Sequence, residues 1–286
     1  MPRTNQEPTI YGSKAEGIQW INVIKEISKE LYVSRHIISQ IFIRDIKAAY
    51  RKNLLGYVWI IIPGLTTTAI WMFLNSQNII NVGQTPIPYP LYVLIGSTTW
   101  LFLTQSIQTP MASFVAGSSV FMKLKVSPLA FIIAGFGGLI FELALKIIIL
   151  IPIFIIFDVI PPVSSILLFP MGIIGILAFG TSVGILLIPL CSLYNDVSRA
   201  TGLILGFLMY LTPVVYPTPK EGWAAMLVNL NPATTLLGAT RDWLTFGEST
   251  YTINFFIITI VSCVVTLFGL IILKIVMPHL VARMGM

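Results

Sequence analysis

The chain has 286 residues, 56% of them hydrophobic and only 10% charged, with a mean hydropathy of +0.89 and a net charge of +6. That balance leaves too little polar surface to cover a soluble globule of this length, and it identifies an integral membrane protein. Cys191 and Cys263 both fall in apolar runs, with no Cys-x-x-Cys or Cys/His spacing, so they argue neither a disulfide nor a metal centre.

Residues 1–53 hold nine of the seventeen Lys and Arg and no long apolar run, unlike a secretory signal, and are expected to stay as a cytoplasmic segment. At 100° per residue, Ile38, Phe42, Ile46 and Ala49 fall on one stripe, with Arg44, Lys47 and Arg51 opposite. This pattern predicts an amphipathic helix in the headgroup layer, apolar face down. Its end, "RDIKAAYRKNLLGYVW" (44–59), presses Arg44, Lys47, Arg51 and Lys52 against an apolar run without a linker. Such charges fix topology and touch anionic lipid, or they serve a docking role.

A spanning helix needs about 20 predominantly apolar residues. Six runs qualify, near 54–74, 90–110, 129–157, 163–194, 199–216 and 253–277, giving one transmembrane domain over 54–277 and a cytoplasmic tail over 278–286. With the amino end inside, fourteen of the seventeen Lys and Arg lie on inner segments, and only Lys220 and Arg241 lie outside. That asymmetry places both termini in the cytoplasm. The expected fold is all-α and integral to the membrane: six transmembrane helices, the interfacial helix, and short re-entrant helices before the last span.

Between the second and third runs, "AGSSVFMKLKVSP" (116–128) reads as a short inner helix. Ser118 or Ser119 caps it, Val120, Phe121 and Met122 supply apolar anchors, Lys123 and Lys125 follow, and Pro128 stops it. On residue type alone it is equally an ordinary inner loop with topogenic lysines. Within the third run, Glu142 and Lys146 stand at i and i+4 and can pair, which lowers the cost of holding each in the bilayer. That pair either lines a functional cavity or bridges spans. Residues 217–250 are too short to cross twice. "GWAAMLVNL" predicts one short helix, and Asn231 with Pro232 forms an N-cap and first-turn pair opening a second that runs to about Phe246, with Gly247 as stop. These dip into the membrane as an outer gate, or lie on the surface with Trp223 and Trp243 as interfacial belt residues. Sugar rings stack on aromatic faces, so Trp71, Trp100, Phe207, Tyr210 and Tyr216 are candidates to line a glycan path; the alternative places them at interfaces or against lipid.

These stretches together resemble a known family. "RDIKAAYRKNLLGYVW" resembles the signature opening the first span of type-2 ATP-binding-cassette permeases that export O-antigen, capsule or teichoic-acid chains. The match holds at Arg44, Asp45, Ile46, Lys47, Tyr50, Leu55, Gly56 and Trp59; the proline arrives one residue early, at Pro63, with Gly64 in its place. "IPYPLYVLIGSTTWLFL" (87–103), "VFMKLKVSPLAF" (120–131), "LTPVVYPTPKEGW" (211–223) and "NLNPATTLLGATRDWLTFG" (229–247) resemble further family segments in the same order. The chain departs from the family at "YNDV", where Asn195 precedes Asp196, and at the tail "PHLVARMGM", which has no acidic residue.

The resemblance implies a homodimer carrying two copies of a nucleotide-binding ATPase subunit, with 116–128 as the coupling element and 217–250 as the gate. No G-x-x-x-x-G-K-[ST] phosphate loop occurs in the sequence, so ATP and magnesium are expected on the partner subunit, with no cofactor and no catalytic or metal residue on this chain. Lipid-linked polysaccharide and membrane lipid are the remaining expected partners, without nucleic acid, in the bacterial plasma (inner) membrane. Arg44, Lys47, Arg51 or Lys52 would meet the pyrophosphate headgroup. Two other classes stay open: a membrane enzyme modifying lipid or glycan, which wants clustered polar residues near a span end, and a secondary transporter, which wants repeats and buried carboxylates.

Overall fold

The computed structural model describes residues 20–51, 56–80, 82–121, 123, 126–219 and 221–284. Among these residues every regular element is helical: α1 (Trp20–Arg51), α2 (Ile62–Ser76), α3 (Tyr89–Phe121), α4 (Pro128–Ile156), α5 (Ser165–Leu193), α6 (Asn195–Leu211), α7 (Gly222–Leu230), α8 (Pro232–Thr245) and α9 (Thr252–Met284). A 3-10 turn over Gly56–Ile60 precedes α2. Three stretches, Pro128–Ile156, Ser165–Leu193 and Thr252–Met277, are long and apolar enough to cross a membrane on length and composition. They coincide with the third, fourth and sixth expected runs.

The centre of the bundle is the pairing of α3 with α5, and small residues explain it. Gly180 and Gly184 of α5 lie so close to Ser106, Ile107 and Pro110 of α3 that a methyl group on either would overlap them. Lipid tails offer no hydrophobic drive between helices, so close backbone approach and the dispersion it permits must hold spans together. Around that contact, Trp100, Phe102, Leu103, Ile107, Met111 and Phe114 of α3 interleave with Ile176, Ile185 and Ile188 of α5. α9 packs on α5, α4 on α3, α1 on α4, and α8 on α5.

Several expected boundaries move, each for a local reason. The first run does not form one helix over its length: Gly56, at φ +51°, opens a 3-10 turn, and Pro63 sits in the first turn of α2, where its missing N–H costs nothing. Pro63 therefore starts a helix rather than kinking one. The second run extends well past 110, because α3 continues through Pro110 to Phe121. Segment 116–121 is thus the last part of α3, not a separate helix, and Pro128 is the first residue of α4 rather than a stop. The fifth helix begins earlier than 199, at Asn195, with Asp196 in its first turn where the helix dipole favours an acid, and ends at Leu211. The tail expected from 278 is helical to Met284 as the continuation of α9.

Candidate functional site

At the α1 end of the bundle, the apolar stripe finds protein before lipid. Ile41 is buried with Phe131 and Ala134 of α4, and Ile38 and Phe42 pack against that cluster. Gly137 makes room for the Phe42 ring, whose Cδ2 would lie 2.8 Å from a Cβ at that position. The expected apolar-face-down helix is corrected to this extent: Ile38 and Phe42 serve to seat α1 on α4. Arg44 and Lys47 are exposed, and Arg44 pairs with its neighbour Asp45 at 2.8 Å. The Arg51 side chain and Lys52 lie outside the described residues. Further along, Ser127 donates its hydroxyl to Glu30 Oε2 at 3.2 Å, and Lys274 Nζ lies 3.8 Å from Glu30 Oε1, so α1, the start of α4 and α9 meet at one carboxylate.

The expected coupling element is oriented differently from its sequence reading. Ser118 caps no helix; within α3 it donates back to the Val115 carbonyl at 2.7 Å. Phe121 turns inward, its ring 5.1 Å from Phe114 and 6.2 Å from Phe131, and half-buried Val120 packs against the α1–α4 contact. Those two apolar anchors are therefore used by the chain itself. Ser119 and Lys123 are exposed at this corner, while Met122 and Lys125 lie outside the described residues.

Glu142 and Lys146 face α3, where a residue that sequence reasoning missed joins them. Gln105 Nε2 donates to Glu142 Oε2 at 3.0 Å, and Lys146 Nζ donates to Gln105 Oε1 at 3.3 Å. The amide supplies a donor to the carboxylate and an acceptor to the ammonium, a complementary match to both ends of the i, i+4 pair. Beside it is a cleft of about 210 Å³ between α1, α3 and α4, edged by Asp45, Gln105, Thr109 and Glu142. The signal available in sequence was a pair of amides, Gln105 and Gln108, within the apolar second run.

At the opposite end, the Asn231–Pro232 opening of α8 forms as expected: Asn231 Oδ1 accepts from the Ala233 N–H at 3.0 Å, and Pro232 takes the first helical position. Its amide also donates to Thr212 Oγ1 at 2.8 Å, tying α8 to the turn that follows α6. Trp243 is not a belt residue: only 1% of its surface is exposed, and its ring meets Phe255 edge-on at 4.6 Å. Trp223, by contrast, is 78% exposed. Arg241, counted as an outer charge, is buried. Of the aromatics proposed for a path, Trp100 belongs to the core between α3 and α5, which corrects that expectation. Trp71 and Tyr216 are half-buried, the Tyr216 hydroxyl donating to the Tyr210 carbonyl at 2.9 Å. Phe207 and Tyr210 stand exposed on α6 beside Leu203 and Ile204.

Residues 37–245, from within α1 to the last residue of α8, match the family described as ABC-2 type transporter. The chain belongs to that family. It is similar to two O-antigen export system permease proteins, RfbA, of Klebsiella pneumoniae: 24% identical over 217 residues, 73% of this chain and 80% of the relative, and 25% identical over 234 residues, 77% and 86%. A third, from Myxococcus xanthus, is 20% identical over 223 residues, covering 73% of this chain and 80% of the relative. Membership of a membrane transporter family gives the apolar helices their role as spans of a multi-pass protein. All the candidate elements from Arg44 to Trp243 fall inside the matched stretch.

Proposed function

We propose that this ABC-2 transporter chain is the transmembrane subunit of an ATP-driven exporter that carries lipid-linked polysaccharide across the bacterial plasma membrane. The relatives' names supply the substrate class, O-antigen first, with capsule and teichoic acid as the chemically related cargoes. ATP and magnesium act on a separate nucleotide-binding subunit, consistent with a sequence that holds no phosphate loop. Two permease copies related by a two-fold axis enclose the path, and each receives one ATPase. Both termini are cytoplasmic. α2, α3 and α6 complete six spans, with α7 and α8 as a re-entrant pair at the outer side, of which α8 packs on α5, α3 and α9.

The observation that carries the reading is α3. It runs unbroken for 33 residues, from Tyr89 beside the α6–α7 turn to Phe121 beside the exposed Lys123. At about 1.5 Å per residue it is roughly 50 Å long, more than the hydrocarbon thickness of a bilayer. A pull at the Phe121 end is therefore carried to the Tyr89 end along one continuous helix, with Pro110 as the place where it can bend. On α6, exposed Phe207 and Tyr210 offer the aromatic faces a sugar chain stacks on. Beside α1, Arg44 and Lys47 stand where a pyrophosphate headgroup enters.

Co-expression with nucleotide-binding ATPase subunits from the same genome tests the proposal. The expected result is a stable complex that hydrolyses ATP, and a deletion strain that accumulates lipid-linked polymer inside the cell. A chain that purifies alone and transports without nucleotide, or normal surface polymer in the deletion strain, overturns it.

A further inference from the structure

Arg241 is 6% exposed, on the buried face of α8. Its Nη2 donates to two backbone carbonyls of the turn after α6, Val214 at 2.8 Å and Pro213 at 3.2 Å. The guanidinium carbon lies over the Tyr92 ring of α3, 3.8 Å from its centroid, and the Tyr92 hydroxyl donates to the Tyr216 carbonyl at 3.1 Å. On the near side, Asn231 binds Thr212. The turn 212–216 is thus gripped by α8 and α3 together, and Thr212, Pro213, Val214 and Val215 are all buried. Gly96 completes the fit: a Cβ there would overlap the Val214 carbonyl oxygen and stand 2.5 Å from Arg241 Nη2.

The physics explains why an arginine sits here. The carbonyls of a buried turn have no ladder donors of the kind a helix or sheet supplies. Away from water they need a donor, and a cation is the best one. A guanidinium serves two carbonyls through one planar fork and stacks on an aromatic face at once, which a lysine ammonium does not. The outer end of α6 cannot leave α3 without parting Arg241 from Pro213 and Val214 or from Tyr92.

We propose that Arg241 is the positioning residue of an outer latch: it clamps the 212–216 turn onto Tyr92 and Gly96 of α3, and so keeps the outer end of α6 shut until α3 moves. This rests on the exporter reading, in which α6 lines the path and α3 transmits the motion. Two independent substitutions break the latch. Arg241→Met removes the clamp, and Gly96→Ala keeps Arg241 but drives a methyl group against both the Val214 carbonyl and the guanidinium, wedging the turn away.

The test uses the full permease–ATPase complex in sealed vesicles loaded with labelled sucrose, without ATP or polymer. Wild-type vesicles are expected to stay tight, while Arg241→Met and Gly96→Ala each speed sucrose loss by about tenfold or more as the open population rises. Arg241→Lys gives a smaller increase, and the double variant leaks no faster than the worse single, because both act on one latch. A residue that merely supports folding lowers the amount of assembled complex but does not open a leak. Tight vesicles from correctly assembled Gly96→Ala and Arg241→Met complexes overturn the latch; if Arg241→Met fails to assemble, Gly96→Ala with Tyr92→Leu decides the matter. A wild-type complex that moves no polymer with ATP counts against the exporter reading alone, since the leak is read without either.

Discussion

Gln105 donates from its side-chain amide to the Glu142 carboxylate at 3.0 Å, joining α3 to α4. With the Lys146 ammonium on the same amide, the three side chains form a compact group in which each charge has a partner on the neighbouring helix. A hydrogen bond to a charged group is worth about 1.5–3 kcal/mol, and leaving such a group unpaired costs more than removing both partners together. Gln105→Leu is therefore expected to lower the thermal midpoint of the purified protein. Glu142→Gln and Lys146→Met should each lower it further than the Glu142→Gln/Lys146→Met double variant does. Equal or additive losses, read by thermal unfolding in detergent, would show that the three side chains do not act as a unit.

The parts of this architecture that sequence conveys are those decided locally. Apolar runs near 129–157, 163–194 and 253–277 become α4, α5 and the apolar part of α9 with shifts of a residue or two. The Asn231–Pro232 opening of α8 forms as read, because a cap needs only its own first turn. Contacts set by distant helices were not legible. Ser106 looks like a polar interruption in the second run, yet it is fully buried against Gly180, with its hydroxyl returned to the Phe102 carbonyl at 2.7 Å. That self-satisfaction is how α3 carries Ser and Thr through the bundle, whereas Gln105 is satisfied from α4. Arg241 and Trp243 read as surface residues by type, whereas α8 packs its buried face on α5, α3 and α9.

Trp223 and Trp243 make opposite forecasts. Trp243 fills the junction of α8 with α9, where it touches Phe255 and Phe256, while Trp223 has only 22 of every 100 parts of its surface covered. Truncating a buried Trp to alanine costs about 3–5 kcal/mol, and an exposed one contributes little. Trp243→Ala should therefore yield a complex with a strongly reduced thermal midpoint or little recoverable protein. Trp223→Ala should leave the midpoint in detergent unchanged. A destabilised Trp223→Ala protein would place α7 in a packing contact that its exposure does not indicate.

At the corner after α3, burial separates a folding role from the proposed docking one. Phe121 packs against Phe114 and Phe131, so Phe121→Asp should damage the permease itself through a carboxylate forced among aromatic rings. Lys123 projects from the same corner into the open. Lys123→Glu should leave the thermal midpoint unchanged yet weaken recovery of the ATPase subunit in a pull-down. The reverse pattern, a stable Phe121→Asp protein that has lost only its partner, would make Phe121 a docking anchor after all.

Phe207 and Tyr210 are 73% and 63% exposed on α6, three residues apart and so on neighbouring positions of one face. Exposed side chains add little to stability, so Phe207→Ala and Tyr210→Ala should unfold at the wild-type temperature. If that face lines the glycan path, each loss removes a stacking surface, and transport of polymer should fall several-fold while ATP hydrolysis by the complex persists. Replacement by Leu keeps the bulk and apolar character but not the flat ring, and should restore little. If the face meets lipid instead, Leu should serve as well as Phe or Tyr. Surface polymer per assembled complex, compared across the Ala, Leu and wild-type chains, distinguishes a sugar-stacking role from an apolar one.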